Sequence, residues 1–199
     1  MPIGRRAVLL ATASAALAPA AGAAPLRYDF DQSVGAIDFT AHHLGLLTST
    51  GQFRRFMAEI VLDSADARRA AIEATIQTGS VALSWPGAED TLRSAAYFDS
   101  AQFPTAHFKG ATVGPGDLTQ FAIRGMLSLR GVTRPFDMQG RLLSRQFDPK
   151  RGADVATFTA RGTLSRSDYG MTEDTLMTGD RIGIEVHVAI QLAAATHAG

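Results

Sequence analysis

Histidine is the residue type in this sequence most able to bind a metal or transfer a proton, and five are present. His42 and His43 are adjacent, so in a strand their side chains point to opposite faces and cannot bind one ion together. His107 and His187 occupy the polar phase of their segments, and His197 lies near the C-terminus. No His-x-His or His-x-x-x-His spacing is present, so the sequence predicts no metal site.

Nucleophilic and acid–base chemistry is no better supported. The chain has no cysteine, no Gly-x-Ser-x-Gly turn and no phosphate-binding glycine loop. The polar cluster Ser165–Tyr169 leaves two alternatives open, an anion or acid–base site and a turn ended by Gly170. The residues themselves therefore offer no catalytic residue and no cofactor motif to assign.

The composition describes an apolar, electrically balanced domain. The 199 residues contain 19 Lys and Arg against 19 Asp and Glu, which argues against a nucleic-acid-binding protein. Hydrophobic residues make up 46% of the chain, enough for a sizeable core. Eleven of the aromatic residues are Phe, which has no polar group, so we expect an unusually apolar core or cavity.

The first 23 residues have the features of an export signal. Arg5 and Arg6 precede an Ala- and Leu-rich stretch, and Ala21 and Ala23 suit a cleavage site after Ala23. The apolar stretch is shorter than the roughly 20 residues needed to span a bilayer. We therefore predict a signal peptide at 1–23, of the twin-arginine or the general secretory type, and one domain at 24–199.

Most of the remaining chain alternates apolar and polar residues with the period of a β-strand. The clearest run places Ile182, Ile184, Val186, Val188 and Ile190 on one face. Only the segment 88–93 is typical of a helix. The pattern predicts an all-β fold, a single antiparallel barrel of about eight strands with one short helix, and a filled sandwich is the alternative.

The apolar phase of the strands supplies the candidate ligand-binding residues. Gly125 and Gly162 fall on this phase, where they either leave space for a ligand and a bend or fit against large Phe neighbours. A barrel of about eight strands can hold one small ligand. The full candidate set is Phe39, His43, Phe56, Ile60, Phe108, Phe121, Ile123, Gly125, Leu127, Phe158, Gly162, Ile184 and Val186. For His43, a hydrogen-bonded core role is the alternative.

Several strings in this order resemble the YceI-like family of exported bacterial proteins. They are Tyr28–Asp31 with Ser33, Ile37–Gly45, Thr50–Phe53, Asp63, Leu92–Ser94, Tyr97–Asp99, Phe103–Pro104, Phe108, Gly125–Pro135 and Ser165–Gly170. The resemblance covers nearly all of the chain after the signal. One position departs from the family pattern, because Gln32 stands where a His usually precedes the Ser.

The resemblance implies a lipocalin-like antiparallel barrel around a long apolar lumen. It implies a periplasmic binding or carrier protein, and not an enzyme. The implied ligand is an isoprenoid chain, such as a quinone or a polyprenyl phosphate, or a similar lipid. An enzyme acting on a small apolar substrate in the same pocket is the alternative. The expected partner is an apolar small molecule or lipid and not a nucleic acid, while transient membrane contact and a homodimer stay open.

Overall fold

The fold is all-β, as the alternation predicts. A computed structural model describes residues 26–62, 69–117, 119–150, 152–174 and 176–191. Within these ranges, eleven strands form one antiparallel sheet. They are β1 (Leu26–Asp31), β2 (Gly35–His43), β3 (Leu47–Phe53), β4 (Phe56–Leu62), β5 (Ala70–Gln77), β6 (Val81–Leu83), β7 (Thr105–Asp117), β8 (Gln120–Leu129), β9 (Val132–Asp148), β10 (Ala153–Ser165) and β11 (Thr178–Gln191).

The strand order curls the sheet around a central space. The order is β1-β4-β5-β7-β8-β9-β10-β11-β2-β3-β6, so the C-terminal β11 pairs with the N-terminal β2. The short turn after β1 leads directly into β2, and the Ala189 amide of β11 donates to the Val34 carbonyl of that turn at 2.9 Å. This connection brings the β1 edge of the sheet back toward β2 and β11, which gives the sheet its barrel-like curl.

The predicted count of about eight strands is wrong for two physical reasons. β3 reads Leu-Thr-Ser-Thr-Gly-Gln-Phe, which has no alternating apolar face to reveal it. β6 has only three residues, too few for any period to show. Both lie at the same end of the strand order, and both are held by pairing with neighbours rather than by their own pattern.

One α-helix, α1 (Ala88–Arg93), forms where the sequence predicts it. Gly87 precedes it with a φ of 77°, a left-handed conformation that suits glycine. Glu89 and Asp90 lie in its first turn and Arg93 in its last, which is the favourable order of charge for the helix dipole. Two short 3-10 helices, Thr78–Ser80 and Arg166–Tyr169, complete the helical structure of the described residues.

No helix within the described ranges is long and apolar enough to cross a membrane. The predicted signal peptide at 1–23 and the start of the domain at residue 24 lie outside the described residues.

Candidate functional site

The curled sheet encloses an apolar cavity of about 980 Å³. Inward side chains from strands on all sides form its wall, and eight of the eleven Phe residues are among them. Ligand pockets for drug-sized molecules measure about 300–1,000 Å³, so this cavity is at the upper end of that range. The wall holds the aromatic residues that the composition indicated.

Strand β11 shows why the wall is apolar along its length. Alternate residues from Ile182 to Ile190 line the cavity, a run of roughly 26 Å at about 3.3 Å per residue. On the opposite face, Arg161 of β10 and Glu185 of β11 form a salt bridge of 2.7 Å. Because neighbouring residues of a strand face opposite sides, one register fixes both the apolar lumen and the charged exterior.

Ten of the thirteen candidate residues lie on the cavity wall. They are Phe39, His43, Ile60, Phe108, Phe121, Ile123, Leu127, Phe158, Ile184 and Val186. Phe56 also faces inward but is buried against Phe30, with ring centroids 6.0 Å apart, and it is not part of the wall. Contact of the ten with a ligand stays a prediction.

Gly125 and Gly162 are likewise not part of the wall. Of the two alternatives, the structure shows the fit against large Phe neighbours and corrects the interpretation as open space in the lumen. A Cβ on Gly125 would lie 2.5 Å from two atoms of the Phe108 ring and 2.7 Å from the Lys109 carbonyl oxygen. A Cβ on Gly162 would lie 2.7 Å from the Phe136 ring. The phenyl rings of Phe108 and Phe136, which come from neighbouring strands, therefore pack directly over the two glycines. Both rings line the cavity.

A connected set of polar groups lies at the α1 end of the cavity. The Thr178 hydroxyl donates to Asp174 Oδ2 at 3.3 Å, and its oxygen lies 3.1 Å from His43 Nδ1. Because that hydroxyl has one hydrogen, this geometry makes His43 Nδ1 the donor to Thr178, so in the neutral imidazole Nε2 carries the lone pair. Nε2 is buried without a hydrogen-bond partner among the described residues.

Tyr97 lies on the same part of the wall. Burial, reinforced by the nearby Asp174 carboxylate, raises the pKa of its hydroxyl, so this group is neutral at ordinary pH. The α1 end thus combines an imidazole, a phenol and a hydroxyl with an otherwise apolar wall. Such an arrangement can bind a molecule with a long apolar part and a small polar head.

Three arginines, which the sequence reasoning did not single out, hold the loops of this end. Arg166 is 2% exposed, and its guanidinium donates to four carbonyl oxygens, those of Met171, Glu173, Thr178 and Gly179, at 2.7–3.2 Å.

Arg93 of α1 donates to the carbonyls of Gly79 and Val81, which fixes the helix to β6. Arg130 donates to the carbonyls of Tyr97 and Gly170. Arg93, Arg130 and Arg166 each fall in a string shared with the family pattern, which was the signal available. The structure resolves the Ser165–Tyr169 cluster as a 3-10 turn whose arginine binds backbone.

The described charged groups on the outer surface form separate ion pairs, among them Lys109 with Glu73 and Arg145 with Asp154. Across the described ranges, no three His, Asp or Glu side chains are grouped as a metal site would require. On the barrel exterior, the hydrogen bond from Arg161 lowers the pKa of the Glu185 carboxyl group.

A curled antiparallel sheet around one long apolar cavity defines a barrel of the lipocalin-like ligand-binding class. The YceI-like domain matches this sequence over residues 28–194, so the chain belongs to the YceI-like family. The UPF0312 protein ECA1782 of Pectobacterium atrosepticum is 31% identical over 172 residues, covering 85% of this chain and 88% of that protein. Protein YceI of Salmonella arizonae is 31% identical over 153 residues, covering 76% and 78%.

Solved structures share the fold at lower identity. BcnA of Burkholderia cenocepacia superposes with a TM-score of 0.68 at 20% identity, covering 80% of this chain and 98% of that one. A polyisoprenoid binding domain from Saccharophagus degradans, implicated in plant cell wall breakdown, has a TM-score of 0.58 at 13% identity and covers 84% and 98%.

Proposed function

We propose that this protein is a periplasmic carrier that holds one long isoprenoid chain, of a quinone or polyprenyl phosphate, in its cavity. The observation that carries the proposal is the 980 Å³ apolar cavity itself. Each 100 Å² of apolar ligand surface removed from water contributes about 2.5 kcal/mol before the costs of binding. Such binding needs an apolar wall of the right shape and no catalytic group, so we propose a carrier and not an enzyme.

The polar groups at the α1 end support an orientation for the ligand. His43 Nε2 is an acceptor without a partner among the described residues, and the Tyr97 hydroxyl lies on the same wall. We place the polar head of the ligand at this end and its chain along β11. The polyisoprenoid binding domain of Saccharophagus degradans, which shares the fold, supports the ligand class.

Export is proposed from the sequence alone. The arginine pair, the apolar stretch and Ala21 with Ala23 suit a signal cleaved after Ala23. Intact-mass analysis of the exported protein tests this part directly, and the expected N-terminus is Ala24.

The ligand is tested by purifying the protein without detergent, extracting it with organic solvent and identifying the extract by mass spectrometry. An isoprenoid lipid in near-stoichiometric amount supports the proposal. An empty lumen that also fails to bind added isoprenoid refutes it, and turnover of a small apolar substrate by lipid-free protein would favour the alternative of an enzyme.

A matched pair of variants links the lipid to the lumen. Ala74 and Ala71 lie on the same strand, Ala74 on the cavity wall and Ala71 exposed outside. We expect Ala74→Phe to lower the lipid content several-fold because its ring occupies the lumen, and Ala71→Phe to leave it unchanged. Overpacking costs about 1–3 kcal/mol, which a folded domain usually tolerates. Ala160→Phe, also on the wall, repeats the test at another strand.

A further inference from the structure

The exposed large hydrophobic residues are unevenly distributed over the surface. Six of the eleven such residues within the described ranges lie at the α1 end, five in three loops and Leu47 at the start of β3, and we name this set the apolar rim. The apolar rim consists of Leu44, Leu46, Leu47, Trp85, Leu176 and Met177. Leu46 is 88% exposed and Leu176 is 90% exposed, so neither contributes to the core. Contiguous exposed apolar surface of this kind usually marks an interaction site.

The three loops form one surface around the cavity. The Leu44 amide donates to the Met177 carbonyl at 3.0 Å, which joins the first loop to the third. The pairing of Leu83 with Gly51 runs antiparallel, so the chain that continues to Trp85 follows β3 back toward Leu47. Leu44, Leu47, Trp85 and Met177 also line the cavity, so the rim is continuous with the apolar wall.

The sequence segments that carry the apolar rim supply no positive charge of their own. The segments 42–48, 84–92 and 172–178 contain no Lys or Arg but contain Glu89, Asp90, Glu173 and Asp174. The neighbouring Arg93 is paired with Glu89 and Asp90, at 2.9 and 3.2 Å. Proteins that bind anionic membranes do so with clusters of Lys and Arg. This surface therefore suits a partner that is apolar inside and electrically neutral at its surface.

We propose that the apolar rim docks onto a lipid bilayer of neutral headgroups and opens the lumen directly to the hydrocarbon layer. The inference rests on the proposed function, because a chain that is insoluble in water must pass between a lipid phase and the lumen. A rim continuous with the wall provides a path on which the chain is never surrounded by water. Trp85, 63% exposed, suits the headgroup level of such an interface.

Trp85 is the single tryptophan of the chain and lies in the rim, so its fluorescence reports docking. We expect a blue shift when phosphatidylcholine vesicles are added, quenching by brominated acyl chains, and sedimentation of the protein with the vesicles. Leu46 and Leu176 lie outside the cavity wall. Leu46→Ser and Leu176→Ser should each weaken vesicle binding about tenfold. Leu143→Ser, an exposed leucine away from the rim, is the matched control and should bind like the unmodified protein.

Three results would overturn the inference. Rim variants that bind vesicles as well as Leu143→Ser would show that the apolar rim is not the docking surface. Binding that requires phosphatidylglycerol and is lost in salt would contradict a neutral partner. If the unmodified protein binds no vesicles but associates with itself, and the rim variants do not associate, the surface would be assigned to a second copy of the chain.

The proposed function fails separately from this inference. Protein that contains extracted isoprenoid but never binds vesicles keeps the carrier function and loses the docking proposal. Trp85 lines the cavity, so a blue shift can arise from docking or from filling of the lumen. The Ala74→Phe variant distinguishes these two causes, because its lumen is occupied by the added ring and docking predicts that it still sediments with vesicles. If it loses both sedimentation and the blue shift, the fluorescence change is assigned to lumen filling and docking is refuted.

Discussion

Gly125→Ala should destabilise the barrel, because the structure places an aromatic ring where the new methyl group would be. The added Cβ would lie 2.5 Å from two atoms of the Phe108 ring, whereas carbon atoms in contact are about 3.5–4.0 Å apart. The Phe108 ring is buried and packs edge-on against Phe136 with centroids 6.1 Å apart. The Lys109 carbonyl oxygen, 2.7 Å from the added Cβ, belongs to the backbone.

The magnitude follows from two opposing effects. Overpacking of a well-packed site costs about 1–3 kcal/mol, and a backbone obstacle places this site in the upper part of that range. Alanine restricts the unfolded chain more than glycine does, which returns about 0.4–1 kcal/mol. We expect a net loss of about 1–2 kcal/mol in the free energy of unfolding, small enough that the domain still folds.

Gly183→Ala is the matched control in a strand. Its new Cβ would meet nothing nearer than the Thr40 Cβ at 3.8 Å, an ordinary contact, so stability should be unchanged or up to about 1 kcal/mol higher. Urea unfolding followed by circular dichroism measures both variants, and extraction of the folded proteins measures their lipid content. In a Phe108→Leu background, the penalty of Gly125→Ala should shrink, because the ring it collides with is gone.

The reasoning would be refuted if the two glycine variants differed by less than about 0.5 kcal/mol. It would also be refuted if Gly125→Ala kept full stability but emptied the lumen. That second outcome would restore the interpretation of this glycine as space kept for a ligand.

Three further predictions concern individual polar groups. Arg166→Lys should lower the free energy of unfolding by at least about 1.5–3 kcal/mol, because an ammonium group cannot make all four hydrogen bonds that the guanidinium donates to carbonyl oxygens. An unchanged midpoint of urea unfolding would contradict this. His43→Phe should leave the free energy of unfolding unchanged or raise it. Loss of the bond to Thr178 costs about 0.5–1.5 kcal/mol, and removal of a buried unpaired nitrogen returns about 1–3 kcal/mol. A loss above about 2 kcal/mol in urea unfolding would show that Nε2 has a partner in solution. The pKa of Glu185 is lowered from its ordinary value of 4.5 by Arg161, so its stabilising contribution is present above that value and is lost as the pH falls through the lower pKa of the folded state. Glu185→Gln should therefore lose less stability than the unmodified protein between about pH 5 and about pH 3, measured by urea unfolding at each pH, and parallel curves would contradict the assignment.

The sequence predicted the fold well wherever one face of a strand is apolar. The alternation from Ile182 to Ile190 identified β11 and its inward face, and the segment 88–93 identified α1. The polar residues Thr48, Ser49 and Thr50 hid β3, because its place is set by pairing with β2 and β6.

The site was predictable only in part, because alternation tells which way a side chain points and not what it meets there. Phe56 and Phe108 both point inward, but only Phe108 reaches the cavity. Gly125 was assigned to open space because the ring that covers it comes from β7, through a pairing the sequence does not display. For the segment around Arg166 the sequence left an anion or acid–base site and a turn open, because its neighbours in sequence do not indicate that four carbonyl oxygens converge on the guanidinium.

The way the arginines hold the α1 end has a consequence for how this fold can diversify. Arg166, Arg93 and Arg130 hold the loops mainly by hydrogen bonds to backbone carbonyl oxygens, which every amino acid possesses. A loop held by its backbone can exchange its side chains without losing its anchor. The opening of the barrel is therefore free to change its side chains while the strands beneath it stay as they are, so that a few loop substitutions can change the chemistry of the opening without changing the fold.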